Sequence, residues 1–244
     1  MNLAIEIKNL KKSFNGLEVL KCVNLNVAKG ENLVVLGKSG TGKSVIIKCI
    51  VRLILPDEGE ITVLGQPMSQ LKDDALREAR KKIGFLFQSG ALYDSMSVRE
   101  NLEFPLRSST PALSQAETTE LVEEALKSVH LESSIDKMPS ELSGGMRKRL
   151  GLARTLILKP DVMLYDEPTT GLDSITSKEI SQLILEVQAK RETSSIIITH
   201  DMECAKLTAN RIAVLKDGEF IEEGTFAQVQ KSADPWVRSF FAVS

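Results

Sequence analysis

The sequence predicts an α/β fold: a largely parallel central sheet with helices on both of its faces. Two patterns carry this expectation. Short, mostly apolar runs at 32–36, 162–165 and 195–199 alternate with segments of helical character, as strands buried on both faces do. Residues 90–157 break that alternation and read as mostly helical, which predicts an insertion within the strand–helix framework.

Taken in order, residues 3–8 and 19–27 alternate apolar and polar side chains and are expected as half-buried strands. The run 32–36 ends in Gly37, as a buried strand entering a tight loop would. A helix follows over about 43–53, stopping near Pro56, with Asp57-Glu58-Gly59 as a turn. Strand character resumes at 60–64, and 72–82 is a charged helix. Ser97…Glu100 and Ser114…Glu117 both match a capping box. The first opens a short helix ended by Pro105. The second opens a helix to about Val129, with Leu121, Val122, Ala125, Leu126 and Val129 on one face. Residues 107–113, with Ser108, Ser109 and Pro111, are linker-like, and a third helix spans 144–157. Beyond Pro160 come a strand at 162–165, an amphipathic helix at 176–189 with its own Thr176…Glu179 capping box, and a strand at 195–199. Segments 211–216 and 219–223 form a hairpin around Asp217-Gly218.

Composition narrows the function. The net charge of −2 gives no global basic field for nucleic acid, although 31 Lys and Arg leave room for a local patch. No stretch approaches the ~20 apolar residues of a membrane span. The alternating N-terminus reads as a strand rather than a signal peptide. A cytoplasmic chain is expected, with any membrane role supplied by a partner. Cys22, Cys49 and Cys204 lack metal or disulfide spacing and read as scattered reduced thiols.

Gly37-Lys38-Ser39-Gly40-Thr41-Gly42-Lys43-Ser44 matches the P-loop pattern in full, after a buried strand and opening a helix. Glycines let the backbone wrap around phosphate, and the helix N-terminus adds positive potential. Lys43 suits the β- and γ-phosphates, and the Ser44 hydroxyl suits Mg2+. Asp166 and Glu167 close the apolar run 162–165. Read as neighbouring strand residues they point to opposite faces, so Asp166 suits Mg2+ and Glu167 suits polarising the attacking water. His200 follows a strand at the edge where α/β ligand sites form, or else caps the next helix. His130 reads as a helix-end residue. Ser143-Gly144-Gly145, in Leu142-Ser-Gly-Gly-Met146, is either a second anion site at a helix N-terminus or a plain capped helix. That helix then carries Arg147, Lys148 and Arg149 on a basic solvated face.

The P-loop, Gln88, LSGGM, YDE, Gly171-Leu-Asp173 and His200 occur in the order and spacing of ABC-type nucleotide-binding domains, and the resemblance covers essentially the whole chain. It implies a P-loop NTPase of ABC type, with an N-terminal antiparallel β-subdomain. The core would comprise 1–89 and 158–244, and the helical subdomain 90–157. It further implies ATP and Mg2+ as cofactors and a head-to-tail pair, each ATP lying between one copy's P-loop and the other's LSGGM. Phe14 resembles the adenine-stacking aromatic, and Val45 falls with the P-loop in the nucleotide contacts. Gln88 resembles the sensor of Mg2+ and attacking water, Glu167 the catalytic base, His200 the γ-phosphate switch and Asp173 the residue crossing the dimer interface. Ser174 stands where proline often follows that aspartate, and serine also permits a helix start.

The segment from Gln88 to Val98 offers Leu92, Tyr93 and Met96 as anchors for a permease, unless these pack under their own loop. It resembles the ATPases of Mla-type phospholipid transporters, as do the stretches beginning at Met138 and Asp234. That resemblance implies a peripheral ATPase on the cytoplasmic face of the inner membrane, working with a permease and an MCE lipid-binding protein. A small regulatory subunit on the helical region is left open. The alternatives are an importer of polar solutes and a soluble ATPase acting on DNA or ribosomes. A single cassette without a heptad tract disfavours the second.

Overall fold

The computed structural model describes residues 2–107 and 112–242. The linker-like residues Ser108, Ser109 and Pro111 therefore lie outside the described residues. The chain opens with a long hairpin of β1 (Leu3–Phe14) and β2 (Leu17–Ala28), turned by Asn15 and Gly16, both at positive φ. Its pairing shifts register at several points between Leu3 and Ser13. This breaks the period-2 pattern and explains why the sequence shows only 3–8 and 19–27 as strands. β3 (Asn32–Leu36) leads through the glycine-rich loop into α1 (Lys43–Ile50). That helix ends earlier than expected because Arg52 turns left-handed (φ 56°) and Leu53 N–H bonds back to the Lys48 carbonyl. β4 (Glu58–Val63), β5 (Gln66–Pro67) and α2 (Asp73–Lys81) precede β6 (Ile83–Leu86), a strand the sequence reading missed.

Three helices, α3 (Val98–Leu106), α4 (Gln115–Lys127) and α5 (Gly144–Leu156), separate β6 from β7 (Val162–Asp166). Both serine capping boxes form as expected. Pro105 sits inside the last turn of α3 instead of ending it, and the helix stops one residue later at Leu106. α6 (Ser174–Arg191) corrects the expected Thr176…Glu179 box. Asp173 is the cap, accepting from Ile175 N–H (3.1 Å) and Thr176 N–H (2.9 Å), while Glu179 is drawn to Arg149 at 2.6 Å. The Thr176 hydroxyl also donates to Asp173. These bonds, the Thr176 N–H first, hold the exposed Asp173 carboxyl below its ordinary range. The chain ends with β8 (Ser194–Ile198), α7 (Met202–Thr208), β9 (Arg211–Lys216), β10 (Glu219–Gly224), α8 (Phe226–Gln230) and α9 (Pro235–Arg238).

The strands form two sheets, a four-stranded antiparallel one (β2-β1-β4-β5) and a six-stranded one (β10-β9-β3-β8-β7-β6). In the larger sheet all pairs are parallel except β10 with β9. Alternate residues of the same strands feed two cores. Val34, Leu36, Met163, Tyr165 and Ile197 face the core shared with α3–α6. Leu33, Val35, Val162, Leu164 and Ile196 face the core shared with α1 and the antiparallel sheet. The apolar runs are thus buried on both sides.

Tyr165 is fully buried, and its hydroxyl has no hydrogen-bond partner among the described residues. An unpaired buried hydroxyl carries its desolvation cost uncompensated. Tyr165→Phe is expected to leave stability unchanged or raise it by about 1 kcal/mol. Thermal and urea unfolding of the purified chain would check this; a clear loss of stability would show that the hydroxyl has a bonding role.

Candidate active site

The parallel strands end along one edge of the sheet, the edge where α/β proteins build ligand sites. Register aligns the ends: Leu36 pairs with Val214, Leu86 with Tyr165, and Asp166 with Ile198. The loops following β3, β6, β7 and β8 therefore emerge side by side. They bring Lys43 and Ser44, Gln88, Glu167 and His200 to the walls of one cleft of about 530 Å³. Gly37, Lys38, Ser39, Gly40, Gly42 and Val45 also line it. Gly42 turns the chain into α1 at φ +98°. A Cβ there would stand 2.9 Å from Val19 and 3.0 Å from Leu20, so both conformation and space demand glycine. Thr41 does not line the cleft; its hydroxyl closes the loop by donating to the Lys38 carbonyl at 2.9 Å.

Lys43 is buried, and its ammonium donates to the Gly37 and Lys38 carbonyls (2.8 and 2.9 Å). Burial pushes its pKa down from the ordinary lysine value, while the Glu167 and Asp166 carboxylates pull it back up. Ser44 Oγ donates to Asp166 Oδ1 at 2.7 Å, so two hard oxygen ligands already converge, one from a cleft wall and one from the buried end of β7, which does not itself line the cleft. This donor set fits Mg2+, which binds few protein oxygens and completes its shell with water and phosphate.

Glu167 departs from the strand argument made for it. β7 stops at Asp166, and Glu167 is a left-handed residue (φ 50°) beyond the strand. The two acids do diverge, but through this turn rather than by alternation along a strand. The Glu167 carboxylate meets His200 Nδ1 at 2.7 Å and accepts from the Thr170 hydroxyl at 3.1 Å. The cap of α7 is Asp201, not His200. Its other oxygen accepts from the buried Thr169 hydroxyl at 2.9 Å and so ties the loop after Glu167 to the loop carrying His200.

Residues 20–170 match the family model for ABC transporters. The chain belongs to the ABC transporter family. Its relatives include the "Intermembrane phospholipid transport system ATP-binding protein MlaF" of Haemophilus influenzae, 38% identical over 97% of this chain and 89% of that protein. The "Probable ribonucleotide transport ATP-binding protein mkl" of Mycobacterium leprae is 39% identical over 98% of this chain and 69% of that protein. The "Methionine import ATP-binding protein MetN" of Protochlamydia amoebophila is 38% identical over 93% and 68%. A solved dimeric post-hydrolysis ATP-binding cassette, bound to ADP and Pi, superposes with a TM-score of 0.83. It is 36% identical, covering 91% of this chain and 98% of that one.

This ABC ATPase thus binds and hydrolyses ATP on the ABC cassette fold. Not every expected site residue joins the cleft. Phe14, the expected adenine-stacking aromatic, ends β1 at 40% exposure with the Lys12 ammonium 5.2 Å from its ring centroid; it is not a cleft wall. Besides Val45, the apolar walls are Val19 and Phe240, neither of which the sequence reading singled out. Phe240 follows α9, where Trp236 packs edge-on against it and lies 5.7 Å from the Lys38 ammonium of the P-loop. Their signal was an aromatic cluster at the C-terminus. Asp173 and Ser143, Gly144 and Gly145 also lie outside the cleft, and Ser143 caps α5 through the Met146 N–H at 3.2 Å.

Lys43→Ala removes the buried ammonium from the glycine-rich wall of the cleft. It is expected to weaken nucleotide binding by roughly 10- to 100-fold, the equivalent of about 1.5–3 kcal/mol. Titration with a fluorescent ATP analogue checks it; unchanged affinity would remove Lys43 from the binding site.

Proposed function

We propose that the chain is the ATPase of a transporter that moves phospholipids between the inner and outer membranes, acting with a permease and an MCE lipid-binding protein. The observation that carries this reading is the likeness to MlaF over 97% of the chain. The segment from Gln88 to Val98 supports it. There Asn101, fully buried, clamps the loop: its side chain accepts from Tyr93 N–H and donates to the Tyr93, Met96 and Ser97 carbonyls at 2.9–3.0 Å. Leu92 packs against the helical core, and Tyr93 stays 39% exposed as the side chain offered to a partner. Among the described residues no helix is long and apolar enough to cross a membrane, so docking on a permease is the proposed route to the cytoplasmic face of the inner membrane. Relatives named for methionine and ribonucleotide transport keep a polar-solute importer as the competing reading. Purifying the native complex and identifying its subunits and bound small molecules by mass spectrometry tests the proposal. A co-purifying MCE protein with phospholipid is expected; a soluble substrate-binding protein in its place would overturn it.

Within the cleft, Lys43 and the loop N–H groups would hold the phosphates, and Ser44, Asp166 and Gln88 would hold Mg2+. Bound there, the ion would neutralise charge on the β- and γ-phosphate oxygens. We assign Glu167 as the base for the attacking water and His200 as the group that reports the γ-phosphate, a reading supported by the contact between the His200 ring and the Glu167 carboxylate. Ser143–Gly145 and Asp173 are assigned to the site of a second copy in a head-to-tail dimer. Two solved structures of one cassette with 36% identity to this chain are dimeric. We divide the chain into a core, 1–89 and 158–244, and a helical subdomain, 90–157, which leaves a surface for a regulatory subunit.

Glu167→Gln keeps the shape of the cleft but not its proton acceptor. Steady hydrolysis is expected to fall by roughly 10²–10⁴-fold while ATP binding persists. Size exclusion with ATP-Mg2+ should then show an accumulated dimer; undiminished turnover would strip Glu167 of the role.

A further inference from the structure

Lys148 has no assigned role, and the sequence placed it on a solvated basic face. The structure buries it: the residue is 7% exposed, on the second turn of α5. Its ammonium donates to two backbone carbonyls on different loops, those of Gln88 and of Glu167 (the latter at 3.2 Å). Two further residues of the same helix stripe, each three positions on, hold the loop after Gln88. Gly151 lets the loop lie close, since a Cβ there would stand 3.0 Å from the Gly90 carbonyl oxygen. Arg154 donates to the Ala91 carbonyl and sits 4.6 Å from the Tyr93 ring centroid.

We propose that Lys148 is a positioning residue for ATP hydrolysis: its ammonium pins the Gln88 and Glu167 main chains to one helix and thereby sets where the Glu167 carboxylate points. The inference rests on the assignment of Glu167 as the base. Glu167 is a left-handed residue beyond the end of β7; its N–H is anchored to the Ile198 carbonyl of β8 (2.9 Å), while its own carbonyl is held from behind by Lys148. The backbone of Gln88 is held by the same nitrogen. A displacement of the loop carrying Tyr93 therefore reaches the base through one rigid element. Both carbonyl partners of Lys148 lie outside the P-loop, so nucleotide affinity is expected to persist without the ammonium.

The test compares Lys148→Met, Lys148→Arg and Glu167→Gln in the full chain, assayed in whatever complex it purifies with. Lys148→Met is expected to lower kcat at least tenfold, with KM and ATP affinity within about twofold of the parent protein. Lys148→Arg, which can still donate to two carbonyls, should recover most of kcat. A merely structural lysine gives the other result: a lower Tm with kcat per folded molecule unchanged, which overturns the proposal. Equal falls in kcat and in ATP affinity overturn it too. If Lys148→Met does not fold, Lys148→Gln, which keeps a donor but reaches only one carbonyl, carries the same criteria. Glu167→Gln separates the two claims. If it hydrolyses normally, the base assignment fails. If it is inactive while Lys148→Met turns over normally, the positioning role alone fails.

Discussion

The parallel register of the six-stranded sheet is the constraint on which the site depends. β3, β6, β7 and β8 run the same way and end at the same level, so residues scattered between 37 and 200 share one cleft. That register is in turn specified by burial on both faces. A slip of one residue would exchange the two sets of side chains, sending those that pack on α3–α6 toward the antiparallel sheet. The apolar runs that make the strands uninformative about chemistry are therefore what bring the chemistry together.

Much of this was legible in the sequence because the signals were local. A P-loop pattern between a buried strand and a helix, two serine capping boxes and an apolar run ending in two acids each state their own geometry. What was missed depended on contacts distant in sequence or on backbone detail. β6 is only four residues long and follows directly on a charged helix. The turn at Glu167 hides inside what reads as a strand end. The cap of α6 lies three residues before the apparent capping box, because Asp173 bonds two N–H groups where Thr176 was expected to bond one. Val19 and Phe240 reach the cleft from opposite ends of the chain, and no spacing rule connects them.

The electrostatics of the site follow from the same convergence. Two buried lysines, Lys43 and Lys148, lie in the field of the same two carboxylates, Asp166 and Glu167. For each, burial works against the charge, and Glu167 then Asp166 support it. The ammonium groups bond to loop and main-chain carbonyls instead of to the acids directly, so the carboxylate oxygens stay available for Ser44, Thr170 and His200. A buried charge usually needs a direct partner. Here the cations are satisfied by backbone, and the carboxylates by hydroxyl and imidazole groups.

This separation gives α5 a double position. Its N-terminus carries Ser143, Gly144 and Gly145, outside the cleft of its own chain and, on the proposed dimer, facing the nucleotide of the other copy. One turn further along, Lys148 holds the main chain of its own Gln88 and Glu167, and toward the other end of the helix Arg154 holds the loop proposed to meet a membrane partner. A helix is stiff along its axis, and this one is packed at both ends, so its parts do not move independently. If the partner's nucleotide draws Ser143 inward, the residues that position the base move with it. On the proposed dimer, contact at the partner's nucleotide would reach Lys148, about one turn along α5 from Ser143, and through it the main chain of Glu167.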